Sequence, residues 1–408
     1  MSKQYKPFIE VLNFKNNIID DDFDVISSQY ENQPSFNLGY HYYTKQVREK
    51  MNSTDLKKRN FYLIVNEFEN QVPEYDDSLD SLVSKKLKFS KGEEIISRDF
   101  YKLWELITYF DLISDKSIKT VSVSENGGFL QCISYFRNTF FKSNSDTYSY
   151  LSSNNKVSSN TIKNIKDTTF NKINGGPIEI LDDESELANV DNIEKFIKSN
   201  KISSNIDLIT ANGTVQFNEN SNTEHQMYKL MLGHIILAIS ITKNGGDFIL
   251  RTDDFFTDVT LKLINILGNC YKKIYVTKPL FSRNFLNEKY IVCKNFNLQD
   301  SKKDKLIKKL KNLLNEINRI DYYVHDIIQE YKINDDDKNV IAKININLVG
   351  DEHLNINKII DYKNKKNYFG EQYHKFRNNQ IDANKWWNDT FLKNKLSDLN
   401  NVKNVLVK

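Results

Sequence analysis

Apolar residues recur at helical spacing in several separate stretches of the chain. Residues 95–113 place them at every third or fourth position, which predicts a helix with one buried stripe. Residues 225–243 are mostly apolar and predict a long buried helix, and residues 258–269 predict another. Beyond Asp300, leucine and isoleucine line one helical face and lysines surround it, which is more typical of a solvated helix face than of an RNA groove.

Short runs rich in β-branched and aromatic residues lie between these helices. The strands predicted from them are residues 120–123, 207–211, 248–251, 274–277 and 290–293. The first strand is followed by a Gly-Gly turn and an aromatic helix at residues 129–141. Strands that alternate with helices of this length need crossover connections, so the sequence predicts an α/β fold with a doubly wound, mostly parallel sheet.

Three regions of different composition follow one another along the chain. Residues 1–90 alternate acidic and aromatic-basic stretches and predict an N-terminal extension, irregular with some helix. Residues 91–300 hold the alternating strands and helices, interrupted at 142–176 by a Ser- and Asn-rich stretch that predicts a long surface insertion. Residues 301–408 predict a mainly helical C-terminal region.

The composition excludes several classes of protein. With 408 residues, of which 39% are hydrophobic and 12% aromatic, the chain is too apolar to be wholly disordered. Its length suits about two to three domains. The formal charge of +3 is too small to indicate nucleic-acid binding by itself, so an RNA site would have to be a local patch. The three cysteines are odd in number and widely spaced, which favours a reducing compartment without disulfides.

Signals for export, membrane insertion and metal binding are absent from the sequence. The first residues do not follow the pattern of a secretory signal, and the longest apolar stretch, residues 231–241, is about half a membrane span. A soluble intracellular protein is therefore expected. Neither HExxH nor CxxC occurs, so no metal site is expected. The P-loop pattern GxxxxGK[ST] and the hydrolase pattern GxSxG are missing too.

The unit at residues 121–136 is a candidate cofactor site. A strand enters the turn Gly127-Gly128 and a helix leaves it, which is where nucleotide-like cofactors bind at the carboxyl edge of such sheets. Glycine permits close backbone approach, and the helix N-terminus offers free N–H groups. A tight structural turn is an equally good interpretation of this unit alone.

Five segments, read in order, resemble one known family. They are SRDFYKLWELITYFDLI (97–113), SENGGF (124–129), SELANVDNI (185–193), DLITANG (207–213) and the stretch from GGDFILR to NEKYIVCKNF (245–296), which includes KPLFSR (278–283). Together they resemble the FtsJ-like family of S-adenosylmethionine-dependent RNA 2′-O-methyltransferases, especially the cap-ribose enzymes of large DNA viruses. The resemblance implies a Rossmann-like methyltransferase domain at residues 91–300, with S-adenosylmethionine as cofactor and RNA as substrate.

The resemblance assigns the cofactor to the turn after the first predicted strand. The implied positions are Ser124, Glu125, Asn126, Gly127, Gly128 and Phe129, together with Glu186 near the adenine. Two of them depart from the family pattern, because Ser124 stands where an acidic residue is usual and Asn126 replaces proline. These departures imply that S-adenosylmethionine binds weakly or not at all.

The resemblance also implies a catalytic set, which reads Lys-Asp-Lys-Glu in the family and Lys102, Asn212, Arg251 and Glu288 here. In the family, two carboxylates and one lysine tune the pKa of the second lysine, which then acts on the ribose 2′-hydroxyl. Asn212 carries no charge, and Arg251 stays protonated and cannot act as a base. We therefore expect weak or lost methyl transfer. The alternative is an active cap or ribosomal RNA 2′-O-methyltransferase that uses Lys102 and Glu288.

RNA binding does not need the catalytic set, because stacking and phosphate contacts suffice. Lys278 and Arg283 are the predicted RNA-binding residues. Further basic and aromatic candidates are Tyr40, Tyr42, Tyr43, Arg48, Trp386 and Trp387. For the aromatic side chains, packing in a core is the favoured interpretation. The resemblance implies capped mRNA as a partner in the cytoplasm or a virion. A purely structural role beside another capping subunit is a third possibility.

Overall fold

The computed structural model describes most of the chain. The described residues are 5–14, 17–35, 37–53, 61–70, 78–89, 91–141, 145–152, 178–181, 187–199, 202, 204–213, 223–365 and 370–407. The strands are β1 (Phe8–Leu12), β2 (Ile26–Ser28), β3 (Lys119–Ser124), β4 (Thr147–Ser152), β5 (Ile178–Leu181), β6 (Ile206–Asn212), β7 (Thr242–Thr252), β8 (Tyr271–Lys278), β9 (Lys289–Phe296) and β10 (Tyr323–Asp326). The helices are α1 (Leu38–Ser53), α2 (Phe61–Val65), α3 (Leu79–Lys86), α4 (Asp99–Phe110), α5 (Gly128–Phe140), α6 (Val190–Ser199), α7 (Thr223–Ile241), α8 (Asp258–Cys270), α9 (Asp300–Arg319), α10 (Asp335–Asn364), α11 (Glu371–Phe391) and α12 (Leu396–Leu406).

The central sheet has the strand order β1-β8-β9-β7-β6-β3-β4-β5. Strands β5, β4, β3, β6 and β7 run parallel to one another, and β9 lies antiparallel between β7 and β8. Parallel neighbours need crossover connections, and in the described part of the chain α5 lies between β3 and β4, α6 between β5 and β6, and α7 between β6 and β7. The predicted α/β fold with a doubly wound, mostly parallel sheet is therefore confirmed.

Two apolar cores lie on the two faces of this sheet. Along β7, Phe248 and Leu250 belong to one core, Ile249 between them belongs to the other, and all three side chains are fully buried. A strand that is buried on both faces forms a continuous apolar run, which is how β7 reads in the sequence. Helix α7 packs into the first core, and helices α4 and α5 pack into the second.

The predicted insertion at 142–176 contains a strand of the central sheet. Strand β4 lies parallel to β3, and its Tyr148 and Tyr150 side chains are buried. The Tyr150 hydroxyl donates to the backbone carbonyl of Ser124 at 2.9 Å, and Arg137 of α5 bonds Asp146 through Nε at 2.8 Å. The prediction of a surface insertion is wrong for β4, because the tyrosines bury their rings while bonding their hydroxyls. Residues 153–176 lie outside the described residues.

The two flanking regions also contribute to the central domain. Strand β1 pairs antiparallel with β8, so the predicted irregular extension includes one edge strand of the sheet. Helix α11 packs Trp387 against Tyr101 of α4, with 5.0 Å between the ring centroids. Strand β10 pairs with β2 in a separate two-stranded sheet. Among the described helices, none is both long and apolar enough to span a bilayer.

Candidate active site

Lys102 is the centre of a buried charged cluster at one end of the sheet. It projects from the first turns of α4, and its Nζ donates to Glu288 Oε2 at 2.8 Å and to Asp99 Oδ1 at 2.9 Å. Glu288 lies just before β9, and Ser282 Oγ donates to its second oxygen at 2.6 Å. All of these side chains are buried, so the amine is held between two carboxylates that water screens little.

The charge of Glu288 is stabilised by its neighbours. Burial raises the pKa of Glu288, but Lys102 and Arg251 outweigh that effect and hold the pKa well below its ordinary value. The hydroxyl of Ser282 bonds the charged form and acts in the same direction. Glu288 is therefore an anion throughout the neutral pH range.

Asn212 joins the cluster at the end of β6. Its Nδ2 donates to Asp99 Oδ2 at 2.8 Å, and its Oδ1 accepts from the Tyr290 hydroxyl at 3.1 Å. The parallel register aligns Asn212 with Ser124 at the end of β3, so both lie at the carboxyl edge of the sheet. The amide thus reaches Lys102 through Asp99 and makes no direct bond to the amine in the described structure.

Arg251 lies on the other side of Glu288, close to the end of β7. Its Nε is 3.7 Å from Glu288 Oε2 and has no hydrogen-bond partner among the described residues. Burial lowers the pKa of Arg251, but Glu288 and Asp253 outweigh it and raise the pKa above its ordinary value. Asp253 is buried, and neither of its carboxylate oxygens has a partner within the described ranges.

The structure brings the four predicted catalytic positions into one cluster. Lys102 and Arg251 both approach Glu288, and Asn212 is linked to Lys102 by Asp99. Asp99 was not among the predicted site residues. Its spacing is a usable signal, because a side chain three residues before Lys102 lies on the same helix face. The catalytic role of the four predicted residues stays a prediction.

The predicted cofactor loop lies between β3 and α5. Gly127 has φ 74°, a left-handed conformation that favours glycine, and its N–H donates to Ser124 Oγ at 3.2 Å. The N–H of Gly128 donates to Asn126 Oδ1 at 3.0 Å. A Cβ at Gly128 would overlap Ser97 Oγ, so this glycine lets α4 and α5 approach closely.

Asn126 connects this loop to the charged cluster. Its Nδ2 donates to Asp99 Oδ2 at 3.1 Å, while its Oδ1 accepts from the Ser97 hydroxyl at 3.0 Å as well as from Gly128. Proline, which is usual here in the family, could make none of these side-chain bonds. The substitution at 126 therefore joins the cofactor loop to the helix that carries Lys102.

The loop fits S-adenosylmethionine in position, and less well in its hydrogen bonds. It stands at the carboxyl end of a parallel strand and opens a helix, as a cofactor loop should. However, the N–H groups of Gly127 and Gly128 are already bonded to Ser124 and Asn126. Phe129 is buried, and Glu125 is partly exposed. Glu186 lies outside the described residues.

The two predicted RNA-binding residues both have protein partners. Lys278 is buried, and its Nζ donates to the backbone carbonyl of Leu286; burial lowers the pKa of Lys278 to about 8. Arg283 Nε donates to Glu69 at 2.9 Å, and its guanidinium lies over the Tyr62 ring. Neither side chain is a freely solvated cation, and their role in RNA binding stays a prediction.

The other basic and aromatic candidates divide by exposure. Arg48 of α1 bonds Asp254 at 2.7 Å and Glu352 at 2.5 Å, so it connects three parts of the fold. Trp387 is fully buried, as the packing interpretation expects. By contrast, the three tyrosines of α1 are exposed: Tyr40, Tyr42 and Tyr43. Within the described ranges, no group of three or more His, Cys, Asp and Glu side chains could hold a metal ion.

Fold and site together define the class of this protein. A mostly parallel sheet whose strands β9 and β1 are reversed, a glycine turn after β3 and a charged cluster at the carboxyl edge are those of a Rossmann-like α/β methyltransferase. Residues 95–296 match the model of the FtsJ-like methyltransferase family, and the chain belongs to this family. The FtsJ-like family predicted from the sequence is therefore confirmed, while the viral type stays a prediction.

Curated relatives are named as cap-specific mRNA 2′-O-methyltransferases. The human cap-specific mRNA (nucleoside-2′-O-)-methyltransferase 1 is 29% identical over 118 residues, which are 28% of this chain and 14% of that protein. The Drosophila melanogaster cap-specific methyltransferase 2 is 21% identical over 286 residues, 67% of this chain and 39% of that protein. An inactive cap-specific methyltransferase 1B of Caenorhabditis briggsae is 27% identical over 137 residues, 33% and 16% of the two chains.

The aligned part covers less than two fifths of each of these relatives. Among solved structures, human methyltransferase-like protein 13 in complex with SAH covers 52% of this chain and 91% of its own, with 12% identity and a TM-score of 0.32.

Proposed function

We propose that this chain binds capped RNA as an FtsJ-like homologue of the cap-specific 2′-O-methyltransferases, and that its own methyl transfer is weak or lost. The family and the names of the curated relatives support the RNA class. One of those relatives is itself named as inactive, so loss of catalysis has a precedent among similar chains.

One observation carries the proposal of weak transfer: a guanidinium stands beside Glu288, where the family has its second lysine. Methylating a ribose requires that the 2′-oxygen be oriented and its proton removed. The carboxylates around Arg251 raise its pKa further above the ordinary value, so the site makes the guanidinium a poorer proton acceptor still. Arg251 can therefore orient or stabilise a charged group without accepting the proton.

The remaining residues can still hold the reacting groups. S-adenosylmethionine, when bound, supplies the methyl group, and the loop from Ser124 to Phe129 would hold it. Lys102 is fixed by Glu288 and Asp99 and can donate toward a ribose oxygen. The Arg251 guanidinium, whose side chain is 19% exposed, is a second donor beside Glu288. Ribose orientation is thus retained where proton removal is impaired.

An active enzyme is the second candidate, and Asp99 is the observation that favours it. The carboxylate that position 212 lacks is present on α4 within 2.9 Å of Lys102. With Asp99 and Glu288 on either side of Lys102, the amine has as many acidic neighbours as the family's set provides. Slow transfer by this cluster would distinguish the candidate from a pure binding module.

The exposed face of α1 is the candidate for base stacking. Tyr40 and Tyr43 present exposed rings, and the helix is anchored to the loop after β7 by the ion pair of Arg48 with Asp254. That loop begins two residues after Arg251, and His41 of α1 packs on its Phe256 with 5.2 Å between the ring centroids, so α1 lies at the carboxyl end of β7. Aromatic rings of this kind stack on single-stranded bases without sequence preference.

A transfer assay and a binding assay test the proposal together. Capped RNA and labelled S-adenosylmethionine are incubated with the native chain, with Lys102→Ala and with the control Lys198→Ala, whose lysine is exposed on α6. We expect RNA binding in all three and little or no transfer. Transfer that Lys102→Ala abolishes and Lys198→Ala preserves would instead establish the active enzyme.

The stacking surface has its own control. Tyr40→Ala/Tyr43→Ala should weaken binding of capped RNA about tenfold or more, since base stacking contributes about 1–3 kcal/mol per base. Tyr322→Ala removes an equally exposed ring at the far end of α9 and should leave binding unchanged. No binding by the native chain would overturn the RNA-binding part of the proposal.

A further inference from the structure

Asp99 is bonded by three different parts of the site. Its Oδ1 accepts from Lys102 at 2.9 Å, and its Oδ2 accepts from Asn212 at 2.8 Å and from Asn126 at 3.1 Å. The side chain is buried, and its own backbone N–H is bonded to Ser97 Oγ at 3.3 Å. A carboxylate with three donors at hydrogen-bond distance is held in one orientation.

We propose that Asp99 supplies the carboxylate that Asn212 lacks, and that it is the positioning residue for Lys102. The ion pairs of the cluster then join two cations, Lys102 and Arg251, to two anions, Asp99 and Glu288. This is the charge balance of a Lys-Asp-Lys-Glu set, with one acid moved from a strand end to a helix. The inference rests on the proposed function, because it concerns the same catalytic cluster.

The position of Asp99 explains why position 212 is an amide. An acid at 212 would place a second carboxylate at the 2.8 Å that now separates Asn212 Nδ2 from Asp99 Oδ2. Two like charges that close do not both ionise. Asparagine avoids this conflict, because it donates to Asp99 with Nδ2 and accepts from Tyr290 with Oδ1. Asp99 and Asn212 are therefore a compensating pair, and Asn126 adds a second amide donor to the same oxygen.

The location on α4 is also favourable for an acid. Asp99 opens the helix, where the positive end of the helix dipole stabilises a carboxylate. Lys102 follows one turn later on the same face, which is the spacing of a stabilising ion pair. The other charged or titratable groups that influence this region are Arg98 just before the helix, Glu288 before β9, Arg251 on β7, Asp253 after β7 and Tyr290 on β9.

The inference changes which substitution should restore transfer. If Asp99 already provides the second acid, Arg251→Lys alone should raise methyl transfer to capped RNA at least tenfold over the native chain. Adding Asn212→Asp should bring no further gain. In the Arg251→Lys background, Asp99→Asn should lower kcat at least tenfold with unchanged RNA affinity, and adding Asn212→Asp should recover most of it. Transfer that requires Asn212→Asp together with Arg251→Lys would overturn the inference.

A proton titration tests the inference without any transfer. The Asn212→Asp variant should retain about one proton more than the native chain between pH 5 and 7, because its two facing carboxylates share a proton. The exchange variant Asp99→Asn/Asn212→Asp has a single acid there and should titrate like the native chain. If native and Asn212→Asp take up the same number of protons, Asp99 is not an ionised neighbour and the inference fails.

The transfer assay and the proton titration together separate this inference from the proposed function. Suppose that Arg251→Lys/Asn212→Asp binds RNA and S-adenosylmethionine and still transfers no methyl group. The explanation of weak transfer by Arg251 is then wrong, and the titration alone decides the role of Asp99. Unfolding temperatures of all variants, measured at pH 7, identify any that fail to fold. Asp99→Asn keeps the shape of the side chain and is the variant least exposed to that failure.

Discussion

Trp387 donates its indole N–H to Glu105 Oε1 at 2.9 Å across 282 residues of chain. The same carboxylate accepts from the backbone N–H groups of Leu280 and Phe281 and from the Tyr109 hydroxyl. Glu105 lies one turn after Lys102 on α4. The helix that carries the candidate catalytic lysine is therefore held in place by a hydrogen bond from the C-terminal region. The position of Lys102 therefore depends on α11.

Removing the indole donor should destabilise the whole domain. Trp387→Phe leaves Glu105 with one donor fewer and a smaller ring in a fully buried place, so we expect a loss of about 2–4 kcal/mol in the free energy of unfolding. Trp386→Phe is the matched control, because Trp386 is only partly buried; it should cost less than about 1 kcal/mol. Urea unfolding of the two variants provides the measurement. Equal losses of unfolding free energy would contradict a stabilising role for the hydrogen bond between Trp387 and Glu105.

The buried Glu105 should make stability depend on pH near neutrality. Burial raises the pKa of Glu105 to about 7 although four donors oppose the shift. Between the ordinary pKa of a glutamate and pH 7, the folded state then holds a proton that the unfolded state has released, so stability falls as the pH rises. The contribution is about 3 kcal/mol at most. Glu105→Gln should flatten the slope of unfolding free energy between pH 5 and 7, and an unchanged slope would refute the assignment.

The ion pairs of Arg48 should be important for anchoring α1. Arg48→Met would remove the hydrogen-bonded cation from the buried carboxylates of Asp254 and Glu352, leaving Asp254 only the more distant Lys289 at 3.8 Å, which costs about 3–5 kcal/mol. Lys45→Met on the same helix changes an exposed lysine and should stay within about 0.5 kcal/mol of the native chain. Thermal unfolding at pH 7 distinguishes the two. Similar losses in both variants would mean that the pair contributes little.

Cofactor affinity should rise when the loop amide of Gly128 is freed. Asn126→Pro restores the residue that is usual in the family and removes the side-chain acceptor that now bonds this amide. One hydrogen bond regained by the cofactor is worth about 1 kcal/mol, so S-adenosylmethionine should bind about five- to tenfold more tightly by calorimetry. Asn355→Ala, at a partly exposed position of α10, serves as control. Native binding that is already tight and unaffected by Asn126→Pro would contradict this reading of the loop.

The parts of the fold that the sequence predicts are those with local periodicity. The spacing predicts helix α4 within residues 95–113 and one buried stripe on it; the helix is confirmed, but the single stripe is wrong, because every residue from Asp99 to Phe110 is buried. Strand β7 was expected at 248–251 because both of its faces are buried and its apolar run is continuous. Such elements can be predicted from the local sequence, because the environment of their residues repeats every two positions in a strand and every 3.6 positions in a helix.

The missed elements depend on contacts that are distant in sequence. Strand β4 is rich in Ser and Tyr and looks polar until Tyr150 is bonded to Ser124. Strand β1 forms by pairing with the edge of β8, and no local sequence pattern predicts that pairing. Asp99 is a different case: its spacing from Lys102 was visible, but its meaning required the position of Asn212, which lies 113 residues away.

The pairing of β1 with β8 has a consequence for how the chain matures. Thr277 and Phe8, which are bonded across this pair, are 269 residues apart in sequence. During synthesis β1 leaves the ribosome long before β8 is made. Strand β1 therefore has no pairing partner, and the sheet is incomplete, until translation has passed β8. We expect newly made chains to depend on chaperones during that interval, and a shortened transcript ending before β8 to yield protein that precipitates.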